Sequence, residues 1–143
     1  MSLWVLDATV LVKTLFVEPE HEIAVGIWVG DGSFLAPASA LMECANAALK
    51  KVRHEGLPEA AARDGLRQVG ELPLEFVAVH AFYATSLFDV ARSAGVTAHD
   101  AVYLLLAEDR HGRVLTADKR LLRAVKNNVR WKDRVIALAD WPG

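Results

Sequence analysis

The chain has 143 residues, a length that predicts one domain spanning residues 1–143. Hydrophobic residues make up 53% and charged residues 24%, which allows a sizeable core and excludes disorder as the default state. The formal net charge is only −2, and the single cysteine, Cys44, excludes an internal disulfide.

Short apolar or β-branched segments alternate along the chain with longer periodic segments. The short segments predict buried strands at 3–6, 34–36, 74–79, 113–116 and 134–138. The periodic segments predict helices at 9–16, 20–30, 39–55, 59–70, 80–94, 99–111 and 119–127. This alternation is typical of βαβ units and predicts an α/β protein, with a parallel sheet and helices on both faces.

Two acidic residues follow predicted strands. Asp7 comes directly after the first strand, and Asp118 lies two residues past the fourth. Ligands of such sheets bind beyond the carboxyl ends of the strands, where the strand order reverses. If the two strands are neighbours at that point, both carboxylates face one crevice.

The charge is distributed unevenly along the chain. Residues 110–134, the basic stretch, contain nine of the 16 Lys and Arg residues but only two acids. A solvated surface explains this stretch, and a phosphate-backbone ligand beside an acidic site would also suit it. The N-terminus lacks the pattern of a signal peptide, and the longest apolar run, 101–107, is too short to span a bilayer. We therefore expect a cytoplasmic protein.

Three acids have structural explanations when each is taken alone. Asp7, Asp100 and Asp118 lie at predicted helix starts, where a carboxylate can accept hydrogen bonds from free N–H groups. Thr97 and Asp100 also have the spacing of a capping box, with Asp in place of Glu or Gln. Each acid is therefore explained by capping as well as by chemistry.

Glu43 lies in a different setting. Ser39, Glu43, Asn46 and Lys50 form one stripe of their helix, at about 100° per residue. Most other positions of this helix carry alanine or other small or apolar residues, which predicts close packing on most sides. The stripe is then either solvated or a narrow polar face turned into a crevice.

The joint placement of the four acids predicts a shared metal site. Carboxylates drawn together repel one another unless cations neutralise them. Mg²⁺ and Mn²⁺ take oxygen ligands, can activate a bound water and can hold the oxygens of a phosphodiester. No His/Cys cluster indicates zinc, and the chain contains neither a Walker loop nor a G-x-G-x-x-G motif. The predicted ligands are Asp7, Glu43, Asp100 and Asp118.

Four segments resemble the motifs of the PIN domain, and within it those of the VapC toxin nucleases of type II toxin–antitoxin modules. The segments are Val5–Lys13, Pro37–Asn46, Thr97–Leu104 and Leu115–Leu121. The resemblance covers essentially the whole chain. Any one motif is weak, but four in this order and at these separations are a fairly specific signal.

The resemblance implies a three-layer, Rossmann-like PIN domain, with a five-stranded, mainly parallel sheet of order 3-2-1-4-5. It implies Mg²⁺- or Mn²⁺-dependent endoribonuclease activity against cellular RNA, a homodimer, and inhibition by a cognate antitoxin.

The resemblance also assigns roles to residues. The family's acidic quartet is matched by Asp7, Glu43, Asp100 and Asp118, and its supporting polar positions by Thr9 and Asn46. In this hypothesis Asp7 and Asp100 hold the principal metal, while Glu43 and Asp118 bind it directly or through water. The supporting pair orients waters or carboxylates, and the basic stretch guides RNA.

Three other functions stay open. A housekeeping RNA-processing nuclease would share the same domain. A phosphatase of the haloacid dehalogenase type also places an Asp after its first strand, but it normally carries a second Asp where this chain has Thr9. A non-catalytic binding module would keep the fold without the chemistry, although intact acids argue against it.

Overall fold

The structure is a computed structural model, and it describes residues 2–143. The strands are β1 (Leu3–Leu6), β2 (Ser33–Pro37), β3 (Glu75–Val77), β4 (Arg113–Thr116) and β5 (Val135–Ala137). The helices are α1 (Ala8–Leu15), α2 (His21–Gly26), α3 (Ala40–His54), α4 (Glu59–Arg67), α5 (Ala84–Ala94), α6 (Ala98–Asp109) and α7 (Lys119–Val125). None of the helices within residues 2–143 is long and apolar enough to cross a bilayer.

The five strands form one sheet of order β3-β2-β1-β4-β5, in which all four pairings are parallel. The predicted α/β class and strand order are therefore confirmed. The central strand is β1, and its residues Trp4, Val5 and Leu6 are all buried. A strand with neighbours on both sides and helices around it needs an apolar side chain at every position.

The strand order reverses at β1, which pairs with β2 on one side and with β4 on the other. Leu6 lies opposite Leu115, and the N–H of Asp7 donates to the Leu115 carbonyl at 3.0 Å. The carboxyl ends of β1 and β4 therefore meet, so Asp7 and Asp118 lie at one edge of the sheet. This is the position at which ligands bind in open α/β sheets.

The predicted strands and helices are all present, with differences at their ends. Predicted helices 20–30, 59–70 and 80–94 each overlap a short 3₁₀ turn, at Ile27–Val29, Gln68–Glu71 and Ala81–Tyr83. Such turns are common at helix termini, and apolar periodicity does not distinguish them from α-helix. The strand predicted at 74–79 is shorter, because β3 lies at the sheet edge and pairs only with β2.

Helices α5 and α6 are joined by a tight turn that determines where the α6 side chains lie. Gly95 ends α5 with φ of 69°, a left-handed conformation that glycine adopts without a steric penalty. The chain then reverses, and α6 packs beside α5 and against β1 and β4. Asp100 in the first turn of α6 and Tyr103 one turn later are consequently turned towards the end of β1.

Candidate active site

A pocket of about 510 Å³ includes all six residues predicted for the site. The four acids come from four parts of the chain: the β1–α1 junction, α3, α6 and the β4–α7 junction. Thr9 and Asn46 also line the pocket. Five further polar residues that the sequence did not single out for the site complete its polar lining: Lys13, Glu18, Thr97, His99 and Arg120.

Asp7 occupies the N-cap position of α1, but its side chain does not cap the helix. The residue is only 5% exposed. Its Oδ2 accepts hydrogen bonds from the Thr9 hydroxyl at 2.7 Å and the Thr116 hydroxyl at 2.6 Å. Among the described residues nothing donates to Oδ1. The capping explanation is therefore wrong for Asp7, whose carboxylate is held by one oxygen and leaves the other available.

The two threonines are themselves oriented by backbone N–H groups. The Thr9 hydroxyl accepts from Ala117 N–H, and the Thr116 hydroxyl accepts from Asp118 N–H, both at 3.0 Å. Because a hydroxyl carries one proton, each must direct that proton to Asp7. Thr116 was missed by sequence reasoning. The available signal was its place at the end of β4, one position beyond the residue opposite Leu6.

The electrostatic environment of Asp7 favours a cation nearby. Burial raises the pKa of Asp7 from 3.8 to about 6, although its bonds to Thr116 and Thr9 act in the opposite direction. The charges of Glu43 and Asp100 raise this pKa further. An ionised Asp7 is therefore unfavourable in the pocket unless positive charge lies beside it.

Glu43 is half-buried and is held by Tyr103, a second residue that sequence reasoning missed. The Tyr103 hydroxyl donates to Oε2 of Glu43 and accepts the N–H of Ala8 at 3.2 Å. Burial raises the pKa of Glu43, with a further increase from the charge of Asp100 and opposing effects of Tyr103 and His99. Burial also raises the pKa of Tyr103, so the phenol stays protonated. The signal was the three-residue spacing of Tyr103 from Asp100 on one helix face.

The rest of α3 differs from the sequence prediction. Close packing on most sides is wrong, because Leu41, Met42 and Leu49 are 44%, 64% and 43% exposed. Only one face, with Ala40, Cys44 and Ala48, is buried. Small residues permit close packing, but the composition of a helix does not say how many of its sides have neighbours.

Asp100 and Asp118 do act as caps, as the sequence allowed. Thr97 and Asp100 form a reciprocal capping box, with distances of 3.1 Å and 3.4 Å. Oδ1 of Asp118 accepts from the N–H groups of Arg120 and Leu121, at 2.9 Å and 3.4 Å. Each cap uses one carboxylate oxygen, so capping and participation in the pocket are compatible.

Residues 4–127 match the family model of the PIN domain. The chain belongs to the PIN domain family. The predicted family is therefore confirmed, and it covers the part of the chain that contains all four acids of the pocket.

Solved structures share the fold of this PIN domain at low sequence identity. PAE2754 from Pyrobaculum aerophilum is 21% identical with a TM-score of 0.69, covering 97% of this chain and 91% of that one. A toxin–antitoxin complex from Klebsiella pneumoniae is 14% identical with a TM-score of 0.63, covering 96% and 98%. VapBC2 from Rickettsia felis, bound to a promoter DNA fragment, is 13% identical with a TM-score of 0.65, covering 94% and 98%. A comparison with curated protein sequences finds no match.

The pocket of this PIN domain fits a hard divalent ion held partly through water. Within residues 2–143, no three His, Cys, Asp or Glu side chains lie close enough together to hold one ion by themselves. Mg²⁺ is commonly bound by one or two carboxylates, with waters and substrate phosphate in the other positions. The carboxylate lining and the raised pKa of Asp7 agree with such an ion.

The basic stretch does not gather at this pocket as the acids do. Arg113 lies over the Trp4 ring at 4.5 Å, and Arg130 pairs with Glu108 at 2.7 Å. Arg134 donates to the carbonyls of Ala107 and Gly112, at 3.3 Å and 2.9 Å. Three of its arginines therefore have structural partners. The member that lines the pocket is Arg120, whose side chain is 68% exposed.

Proposed function

We propose that this PIN domain is a Mg²⁺- or Mn²⁺-dependent endoribonuclease. The observation that carries the proposal is the pocket at the reversal of the sheet, in which three of the four acids lie around the fourth, the buried Asp7, whose pKa is raised to about 6. A substrate with a phosphodiester backbone would complete a cation's coordination and would meet Arg120 at the pocket wall.

In this proposal Asp7 and Asp100 hold the principal ion, and Glu43 and Asp118 bind it directly or through water. When bound, the ion neutralises the carboxylates, activates water and stabilises charge on the reacting phosphate. The protein's own side chains hold the carboxylates, the water and the substrate in position. Asp7 stays in place through Thr9 and Thr116, while the exposed Asn46 side chain is placed to orient water or substrate.

We further propose that the chain is the toxin of a type II toxin–antitoxin system, acting on cellular RNA in the cytoplasm as a homodimer that a cognate antitoxin inhibits. Two of the solved structures with this fold are toxin–antitoxin assemblies, and the four sequence motifs resemble those of VapC toxins. Expression of the chain should arrest growth, and co-expression of a small protein encoded beside it should restore growth. Arrest by Asp7→Asn as strong as by the wild type would contradict this role.

The activity is tested by cleavage of RNA with the purified chain in Mg²⁺, in Mn²⁺ and in EDTA. We expect cleavage only with metal, and a loss of at least about 1,000-fold for Asp7→Asn or Asp100→Asn, which is about 4 kcal/mol in transition-state stabilisation. Asp109→Asn is the matched control, because Asp109 is exposed and bonded to Tyr83 at 3.0 Å outside the pocket. Wild-type cleavage by Asp7→Asn would contradict the proposal, and failure of the chain to bind either metal would favour a binding module.

A further inference from the structure

We propose that Tyr103 is a positioning residue that orients Glu43 in the metal site, by joining its carboxylate to the first N–H of α1. The inference rests on the proposed metal-dependent function and adds a residue to it. The buried Tyr103 hydroxyl contacts two elements of the pocket at once, α3 through Glu43 and the start of α1 through Ala8.

The direction of the hydrogen bonds follows from the number of protons. The Ala8 N–H can only donate, so it uses a lone pair of the Tyr103 oxygen. The single hydroxyl proton is then directed to Oε2 of Glu43. Oε2 therefore accepts the hydroxyl proton, and Oε1, to which none of the described residues donates, is the oxygen of Glu43 left open to an ion or its water.

Tyr103 also contributes to the start of α1. An Asp at an N-cap normally accepts from N–H groups of the first helical turn, but the Asp7 side chain makes no such bond. The Ala8 N–H, the first of α1, has no partner within the helix and donates to the Tyr103 hydroxyl. Tyr103 thereby accepts the first N–H of α1, while the Asp7 carboxylate remains in the pocket.

The carboxylates of Asp7 and Glu43 are both held by hydroxyl groups that donate a hydrogen bond to one oxygen. Thr9 and Thr116 each direct a hydroxyl proton to one oxygen of Asp7, and Tyr103 does so for one oxygen of Glu43. A half-buried glutamate has several rotamers, and ordering them on metal binding costs free energy. A buried donor that holds Glu43 in one orientation before the metal arrives reduces that cost.

The test is Mn²⁺ affinity of the RNA-free chain, measured by calorimetry for the wild type, Tyr103→Phe, Glu43→Gln and the double variant. Removing a hydrogen-bond partner of a metal ligand commonly weakens metal binding by about 10- to 100-fold, and we expect this for Tyr103→Phe. Because Tyr103 acts through Glu43, it should cause no further loss in the Glu43→Gln background. Tyr83→Phe is the matched control, since it removes a tyrosine–carboxylate hydrogen bond outside the pocket.

Two results would overturn the inference: unchanged Mn²⁺ affinity in Tyr103→Phe, or an equal fold-loss with and without the Glu43 carboxylate. The second result would make Tyr103 a structural residue only. If the wild-type chain bound no Mn²⁺, the proposed metal-dependent function would fail and this inference with it. A wild type that binds Mn²⁺ and a Tyr103→Phe variant that binds it equally would overturn the inference alone.

A second measurement applies if Tyr103→Phe does not fold. The chain has two tyrosines, so 3-fluorotyrosine labelling of Tyr83→Phe leaves one ¹⁹F label, at Tyr103. Mg²⁺ should move its resonance, and the movement should be smaller when Glu43→Gln is added. A resonance that does not respond to Mg²⁺ in a chain that binds Mg²⁺ would overturn the coupling.

Discussion

The carboxylate pocket brings together residues that are distant in the chain, whereas the basic stretch disperses residues that are close in the chain. Asp7 and Thr116 are 109 residues apart in the chain and Glu43 and Tyr103 are 60 apart, yet each pair is hydrogen-bonded. The basic side chains lie within 25 consecutive positions, 110–134, and several of them point to separate partners. A cluster of charge in the sequence is therefore a poor guide to a cluster of charge in the protein.

The cause of the difference is how each side chain is positioned. The pocket acids sit at helix starts, or in the first turn of a helix, and short hydroxyl or N–H contacts hold them at one edge of the sheet. Arginine side chains are long and contact whatever carboxylate, ring or carbonyl lies within reach. Arg134, for example, joins the end of α6 to the start of β4.

The largest effect on stability should come from Asp7 in the metal-free chain. Burial raises its pKa from 3.8 to about 6, so the ionised form is less stable in the folded protein than in the unfolded one. At pH 7.5 in EDTA, Asp7→Asn should raise the free energy of unfolding by about 3 kcal/mol, since one pKa unit equals about 1.36 kcal/mol. The increase over the wild type should shrink as the pH falls from 6 towards 3.8.

Urea unfolding of both proteins across this pH range provides the measurement, with Asp109→Asn as the exposed control. A difference that does not change with pH would show that Asp7 is not the buried, unfavourably ionised group described here. The pocket would then not differ from an ordinary solvated acid cluster.

Arg134 should matter to stability and not to nucleic-acid binding. Arg134→Met removes two hydrogen bonds from a charged donor to the carbonyls of Ala107 and Gly112. Thermal or urea unfolding should show a loss of about 2 kcal/mol. The slope of log RNA affinity against log salt should stay at the wild-type value, and a reduced slope would assign Arg134 to the RNA surface instead.

Arg120 should show the reverse pattern with a smaller effect. Its side chain is exposed and lines the carboxylate pocket, so Arg120→Met should change the free energy of unfolding by less than about 0.5 kcal/mol. If Arg120 contacts one phosphate, the salt slope of RNA affinity should fall by about 1. Equal salt slopes for Arg120→Met and Arg134→Met would remove the distinction between the two arginines.

Much of the fold was predictable because its signals are local. Buried parallel strands are continuous apolar runs, and the run Leu-Trp-Val-Leu at 3–6 coincides with β1. The Thr97–Asp100 capping box was equally readable from its spacing. The end of β3 and the 3₁₀ turns could not be predicted from the sequence, because they depend on which other segments each one contacts in the fold.

The acids of the candidate site could be predicted from the sequence, but the residues that hold those acids in place could not. Asp7, Glu43, Asp100 and Asp118 stand out through their places at strand ends and on a helix stripe, and the pocket includes all four. Thr116 and Tyr103 look like ordinary core residues in the sequence. Their roles appear only when hydrogen bonds across 109 and 60 positions are known.

The fold class, the family and the acidic residues of the pocket could all be predicted from the amino-acid sequence, since each is encoded in local periodicity or a short motif. The folded structure was needed to show which oxygen of each acid is held, which arginine of the basic stretch reaches the pocket and which side of α3 is open. These features depend on contacts between elements distant in the chain. A carboxylate's orientation is set by its neighbours in space, and for Asp7 and Glu43 those neighbours include hydroxyl groups from β4 and α6.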